Sequence, residues 1–248
     1  MSTGGGAQGA VVLVAGAGSP SGVAVCTALT AAGARVIAVG SSGPRLEAAL
    51  GHLTDIDLRT CDLADAGEVR SLASNLQEAY GGVDGLIHLV GGWRGGNGIG
   101  GQSDEDWDFL ERNILRTLRN VSRSFYGQLA ASGRGRLAIV SSTAVDSPTA
   151  GGAGYAAAKA AADAWVRALA HGFQKDQPGR KAHPVPLHSA AVVFVVKALV
   201  DEGMRRENPE RAYPGYTDVD RLAAAAVDLF EQPADRLNGR RISLIPAG

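Results

Sequence analysis

"VVLVAGAGSPSGVAVCTAL", Val11 to Leu29, decides the fold. An apolar run passes into a glycine-rich turn, and a helical segment of small and apolar residues follows. Unbroken hydrophobicity predicts a strand covered on both faces, as in a parallel sheet. Gly16 closes the strand, Gly18 lies inside the turn and Gly22 sits on the opening helix. Glycine is needed where a chain turns tightly or where backbone must approach phosphate or sheet closely. The helix N-terminus then offers free N–H groups and the positive end of its dipole to a pyrophosphate. Taken alone, such a turn is only a tight βα connection; after the first strand of an alternating pattern it points to a nucleotide site. Pro20 cuts both ways. Its fixed φ suits the first helical position, yet it removes one N–H and adds a ring where bare backbone would face phosphate. Ser19 and Ser21 offer hydroxyls in its place.

Outward from this stretch, apolar runs alternate with helical patterns almost to the end. Strands are predicted at 10–16, 35–40, 84–91, 135–142, 189–196 and 240–245, with a weaker one at 55–63. Helices are predicted at 22–32, 44–51, 65–80, 104–131, 153–173 and 218–231. This is the pattern of an α/β protein, a single-domain Rossmann-like doubly wound parallel sheet of about seven strands with helices on both faces. Residues 10–248 are expected to form that domain, behind a flexible leader at 1–9. The least regular stretches are 91–102 and 174–184. The first follows the carboxyl end of a strand, where open α/β sheets bind ligands.

Bulk properties narrow the class. The chain has 248 residues, 45% hydrophobic and 20% charged, with a formal net charge of −1. That balance implies no general attraction to nucleic acid or to an anionic membrane. Cys26 and Cys61 are far apart and lack metal-ligand spacing, so a reduced cytoplasmic protein with no metal site is expected. "MSTGGGAQGA" has neither a charged nor an apolar signal-peptide region. The apolar run at 190–196 is far too short to span a bilayer.

The stretch 141–170 carries the chemistry. Tyr155 and Lys159 are four apart on a predicted helix and share one face. An ammonium beside a phenol favours the phenolate and lowers the tyrosine pKa. The alanines at 156–158 keep the surrounding surface small. By itself such a pair is usually just an exposed helix face. Ser142 ends a predicted strand, where its hydroxyl can bond the same carbonyl oxygen that Tyr155 protonates. Asn113 falls mid-helix, an unfavourable place that calls for a reason, although a solvated face is the plain alternative.

Together these residues resemble the classical short-chain dehydrogenase/reductases, over nearly the whole length from about residue 10. The turn "AGAGSPSG" at 15–22 is similar to the family's glycine motif, and Asp62 in "CDLAD" to its adenine-capping acid. Asn113, Ser142, Tyr155 and Lys159 match its catalytic set in order and spacing, and "RLNGRRISLIPAG" at 236–248 resembles its closing strand. The resemblance implies hydride transfer between nicotinamide C4 and a carbonyl or alcohol carbon. Tyr155 is then the acid of reduction and the base of oxidation, and Ser142 holds the substrate oxygen. Lys159 binds the nicotinamide ribose and depresses the Tyr155 pKa, and Asn113 anchors a water in a proton relay. Gly16, Gly18, Ser19, Ser21, Gly22, Asp62, Leu63 and Gly91 fall at cofactor-binding places. The partner is a small carbonyl or alcohol substrate, and a homodimer or homotetramer is implied.

Three places depart from the family pattern. Ala15 and Pro20 alter the first turn. "HLVG" at 88–91 replaces Asn-Asn-Ala-Gly, with His88 expected to tie neighbouring strands as that asparagine does. "AAVVFVVKALVDEG" at 190–203 lacks Pro-Gly and brings Lys197 near a nicotinamide-holding threonine's place, either to replace it or to point to solvent. A degenerate binding or regulatory protein is therefore the rival expectation. The second strand ends in Gly40, Ser41 and Ser42 rather than a carboxylate, with Arg45 one turn on. That predicts NADP(H) over NAD(H), since hydroxyls and an arginine can hold a 2′-phosphate. Trp93 and Arg94 fall near the substrate, and 192–216 is expected to be an exposed helix and turn that closes over ligand.

Overall fold

The computed structural model describes residues 6–177 and 185–246. The first half runs β1 (Val11–Ala15), α1 (Pro20–Ala31), β2 (Arg35–Gly40), α2 (Gly43–Leu50), β3 (Ile56–Thr60), α3 (Ala66–Tyr80) and β4 (Gly85–His88). There follow α4 (Asp104–Leu110), a π-helical turn (Glu111–Arg116), α5 (Thr117–Ala131), β5 (Arg136–Ser142) and α6 (Ala153–Asp176). The last part holds β6 (Ala190–Val196), β7 (Leu199–Val200), α7 (Glu202–Glu207), β8 (Thr217–Asp218), α8 (Val219–Asp228), α9 (Ala234–Leu237) and β9 (Arg241–Ser243).

Seven strands form one sheet in the order β3-β2-β1-β4-β5-β6-β9, and every pairing is parallel. The reason is legible along β1. Val12 and Val14 face a core closed by α1, α2 and α8, whereas Leu13 and Ala15 face one closed by α3, α5 and α6. Both layers are dry, with Leu29, Leu50, Leu76 and Phe125 fully buried. Each such side chain contributes about 1.5–3 kcal/mol of transfer free energy. The chain winds outward from β1 in one direction and from β4 in the other. Between those two strands the order reverses, and a crevice opens at their carboxyl ends.

Four sequence expectations need correction. Residues 6–9, read as flexible leader, are held: Ala7 is buried, Gly6 N–H donates to Phe230 O, and Arg134 donates to Gly6 O and Gln8 O. The helix expected at 104–131 is interrupted by the π turn, where Thr117 N–H reaches back five residues to Arg112 O. β4 stops at His88 and not at residue 91: Leu89 N–H makes a last bond to Ala15 O at 2.8 Å, and residues 89–93 then line the cleft. The segment 192–216 holds the exposed helix α7, but β7 pairs with β8 on either side of it in a second small sheet. Tyr213 Oη bonds Met204 O at 2.9 Å and Thr217 Oγ1 bonds Leu244 O at 3.0 Å, so the segment is tied to itself and to the end of the main sheet. The irregular stretch 174–184 lies mostly, and the end of the closing run partly, outside the described residues. Among the described residues, no helix is long and apolar enough to cross a membrane.

Candidate active site

The glycine-rich turn is built as its residues require. Gly16 has φ +85°, and a Cβ there would stand 3.1 Å from Leu89 C and Val90 N. A Cβ on Gly22 would lie 2.4 Å from Gly16 O, so α1 packs onto the turn only through glycine. Ser19 caps α1: its Oγ accepts from Gly22 N–H at 3.1 Å and donates to Gly16 O at 2.9 Å. Pro20 is the first helical residue, where its missing N–H costs the helix nothing. Ser21 Oγ lies 3.1 Å from Ser19 Oγ, so two hydroxyls flank the proline ring at the helix mouth.

Two cavities open from this crevice. The larger, about 990 Å³, is bounded by Ser19 and Ser21 at one end and by Ser142, Tyr155 and Lys159 at the other. A smaller one, about 250 Å³, is lined by Gly18, Gly40, Ser41, Ser42 and Arg45 beside Gly16. Arg45 lies over the turn, with its Cδ 3.4 Å from where a Gly18 Cβ would be. Gly91 borders both cavities. Among the described residues, no aspartate or glutamate lines either one.

β5 and α6 bring three expected residues to one wall. Ser142 ends β5, is 3% exposed, and accepts from Ala144 N–H at 3.2 Å. Tyr155 and Lys159 project from one face of α6. Burial raises the Tyr155 phenol above its ordinary pKa, and a hydrogen bond with Ser142 works against that rise. This corrects the expectation that Lys159 depresses it. The ammonium bonds Val140 O at 2.7 Å and stands 5.8 Å from the Tyr155 ring centre. Burial also pulls Lys159 down to about 8, while Asp163 one turn on pulls it up.

Other expected residues lie elsewhere. Asn113 sits within the π turn, with its amide tied back to Phe109 O at 2.8 Å and not projecting into the cleft. Asp62 and Leu63 follow β3, outside both cavities. Asp62 Oδ1 accepts from Ala64 N–H at 2.9 Å and Oδ2 from Arg112 at 2.6 Å, whereas Leu63 is buried with its carbonyl on Asn120. Trp93 lines the larger cavity while remaining 65% exposed. Arg94 is turned away: its guanidinium lies 3.9 Å from the Phe109 ring centre, donates to Trp93 O at 3.0 Å and faces Asp106 at 3.7 Å. Lys197 stands in the cavity wall and donates to Pro214 O at 3.0 Å. His88 does not tie strands. Its Nε2 lies 3.1 Å from Thr117 Oγ1, on the helix above the sheet.

Two residues at this site escaped the sequence reading. Asp163 is buried beneath Lys159 on α6, with Arg241 Nε 3.1 Å from its Oδ2. An acid four residues after Lys159, on an alanine-rich face, was the available signal. Thr117 carried none, because threonine in a helix is unremarkable.

Comparison with known proteins bears on family and fold. The sequence model of the short chain dehydrogenase family matches residues 10–177. A Streptomyces coelicolor protein named as a ketoacyl reductase is 30% identical over 167 residues, which cover 64% of this chain and 63% of that one. The Escherichia coli 3-oxoacyl-(acyl-carrier-protein) reductase is 28% identical over 165 residues, covering 66% and 67%. The match thus spans somewhat under two thirds of the Streptomyces relative. In fold, an NADPH-bound short chain oxidoreductase of Pseudomonas aeruginosa, described as containing an atypical catalytic center, superposes with TM-score 0.80 at 21% identity over 95% of each chain. A variant of the actinorhodin polyketide ketoreductase with NADPH gives 0.78 at 20% identity over 96% of each.

Proposed function

The chain belongs to the short-chain dehydrogenase family, and from the geometry of its cleft we propose that it is an NAD(P)(H)-dependent oxidoreductase interconverting a carbonyl and a secondary alcohol. The observation that carries this reading is that Ser142, Tyr155 and the buried Lys159 line one cleft together. A dinucleotide fits the residues present. Gly16 and Gly22 let the turn, the end of β4 and α1 pack where any Cβ would strike backbone, which sets the N-terminus of α1 beside the cleft with the Ser19 and Ser21 hydroxyls at its edge. The bound nicotinamide supplies or takes the hydride. All other tasks fall to side chains. Tyr155, held protonated by burial, gives its proton to the substrate oxygen in reduction and recovers it in oxidation. Ser142 donates a hydrogen bond to the same oxygen and so stabilises charge that develops there. Lys159 holds a positive charge behind the phenol, and Asn113 supports the wall behind it.

NADP(H) is the preferred cofactor on this reading. The smaller cavity presents Ser41, Ser42 and Arg45, with no carboxylate to repel a 2′-phosphate. Trp93 is the substrate contact of the glycine-rich loop, and the protein works in the cytoplasm as a homodimer or homotetramer. The test combines binding and turnover. Fluorescence titration should show NADPH binding more tightly than NADH at matched ionic strength. Tyr155→Phe should keep that binding and lose kcat by orders of magnitude. Failure to bind either nucleotide, or full turnover by the phenylalanine variant, overturns the proposal.

A further inference from the structure

The π turn leaves a backbone carbonyl to account for. In an α-helix Asn113 O would accept from Thr117 N–H, four residues on. Here that amide goes to Arg112 O, and the Thr117 hydroxyl takes its place on Asn113 O at 2.7 Å. A hydroxyl has one proton, and a carbonyl can only accept. That assigns Thr117 Oγ1 as the acceptor in its 3.1 Å contact with His88, and the imidazole proton to Nε2. The imidazole is 3% exposed, and burial together with the Lys159 ammonium pushes its pKa down to about 3. It is a neutral, permanent donor across the working range of pH.

We propose that His88 is a positioning residue of the active site: through the Thr117 hydroxyl it fixes the Asn113 carbonyl that the π turn frees, and with it the cleft wall beside Lys159. The placement of neighbours supports the link. A Cβ on Gly91 would lie 3.7 Å from Lys159 Nζ and 4.0 Å from Ile114 Cγ1, so the π turn borders the lysine across one glycine. His88 itself lines the cavity that holds Tyr155 and Lys159. A helix with an inserted residue has two ways to settle its spare carbonyl, by sliding the bulge or by pairing the group where it stands. The His88–Thr117 pair selects the second. A π turn free to slide would move Ile114 and Gly91, and the ammonium would lose its fixed place.

The inference rests on the oxidoreductase reading for its effect on rate, but not for its geometry. Four variants test it in the full-length protein. Thr117→Val and His88→Leu should lower kcat by about tenfold to a hundredfold, the usual penalty for a small misplacement of a catalytic group. The Kd for NADPH should stay within about twofold of the parent's, which a general structural defect would not allow. Thr117→Ser and His88→Gln, which keep the hydroxyl and the terminal N–H, should restore most of the loss. Separately, 15N NMR of the imidazole should show the Nε2–H tautomer, unchanged from pH 5 to 9 in the parent and altered in Thr117→Val. Parent-like kcat in both disruptive variants, or an Nδ1–H tautomer in the parent, overturns the proposal. A protein that reduces no carbonyl compound refutes the activity instead. The NMR result then decides the His88–Thr117 contact alone.

Discussion

Asp163→Asn should move the alkaline limb of the reductive activity. On the proposed mechanism Lys159 acts as the ammonium, so kcat/KM should fall as pH rises through its pKa, about 8 in the parent. Tyr155 titrates above its ordinary value and loses its proton later, so the lysine sets the limb. Burial is what pulls Lys159 down, and Asp163 is the charge that resists it. Among the described residues, the other titratable groups that line the Lys159 cavity are His88, Tyr155, Lys197 and Tyr216, and no carboxylate is among them. Side chains one helical turn apart stand about 6 Å from each other. At an effective dielectric constant of about 20, opposite unit charges at that distance attract by about 2.8 kcal/mol, or about two pKa units. Arg241 lies 3.1 Å from the same carboxylate and cancels part of this. We therefore expect a fall of about one unit, which puts the limb near pH 7 and lowers kcat/KM at pH 8 by about fivefold. Arg241 keeps its two bonds to Asp146, at 2.8 and 3.0 Å, so the variant should fold. The assay is the pH profile of kcat/KM for NADPH-dependent reduction, with thermal unfolding as a control. A limb that stays in place or moves upward refutes the electrostatic argument.

Two further outcomes test the nucleotide end. Arg45→Ala should weaken NADPH by about tenfold and leave NADH nearly unchanged, since a guanidinium–phosphate bond is lost in one case only; equal effects on both would show that Arg45 does not read the 2′ position. Gly22→Ala sets two effects in opposition. Alanine favours a helix over glycine by about 1 kcal/mol, but its Cβ would stand 2.4 Å from Gly16 O and 2.6 Å from Ala17 Cα. Overpacking against backbone should win by about 2 kcal/mol net, which lowers Tm by about 4–8 °C; an unchanged or higher Tm would show that the turn relaxes.

The sheet was legible because its strands are covered on both faces. Val11 to Ala15, Arg35 to Gly40 and Ala190 to Val196 stand as near-continuous apolar runs, and each appears within a residue or two of its expected ends. β7 and β8 were not legible, since two residues cannot display an alternation. The π turn was invisible for a related reason. One inserted residue shifts a helix face by a fraction of a turn, and Leu110, Ile114, Leu118 and Val121 still read as one apolar stripe. Arg94 misled because a cation in a glycine loop looks free until α4 brings Phe109 and Asp106 beneath it. Asp62 and Leu63 were placed by resemblance, and sequence alone had no means to show that Arg112 and Asn120 would engage them.

Pro20 shows how much of a site can be settled by local rules once neighbours are considered together. As a substitute for a phosphate-facing glycine it reads as damage. As the residue after Ser19 and two before Gly22 it reads as the start of a helix, with a cap before it and a close-packing position after it. The structure follows the second reading, with Ser19 Oγ accepting from Gly22 N–H. The proline thus leaves the frame of the helix N-terminus intact, with the Ser19 and Ser21 hydroxyls beside it in the cleft lining. His88 repeats the logic at the other end of the cleft. Its departure from the family pattern comes with Thr117 and a π turn that use its N–H, so the altered residue and its partners form one arrangement. A chain released from chemistry has no physical need to pair such substitutions with new partners around an intact Ser142, Tyr155 and Lys159. That coupling is the strongest argument for treating these departures as parts of a working site.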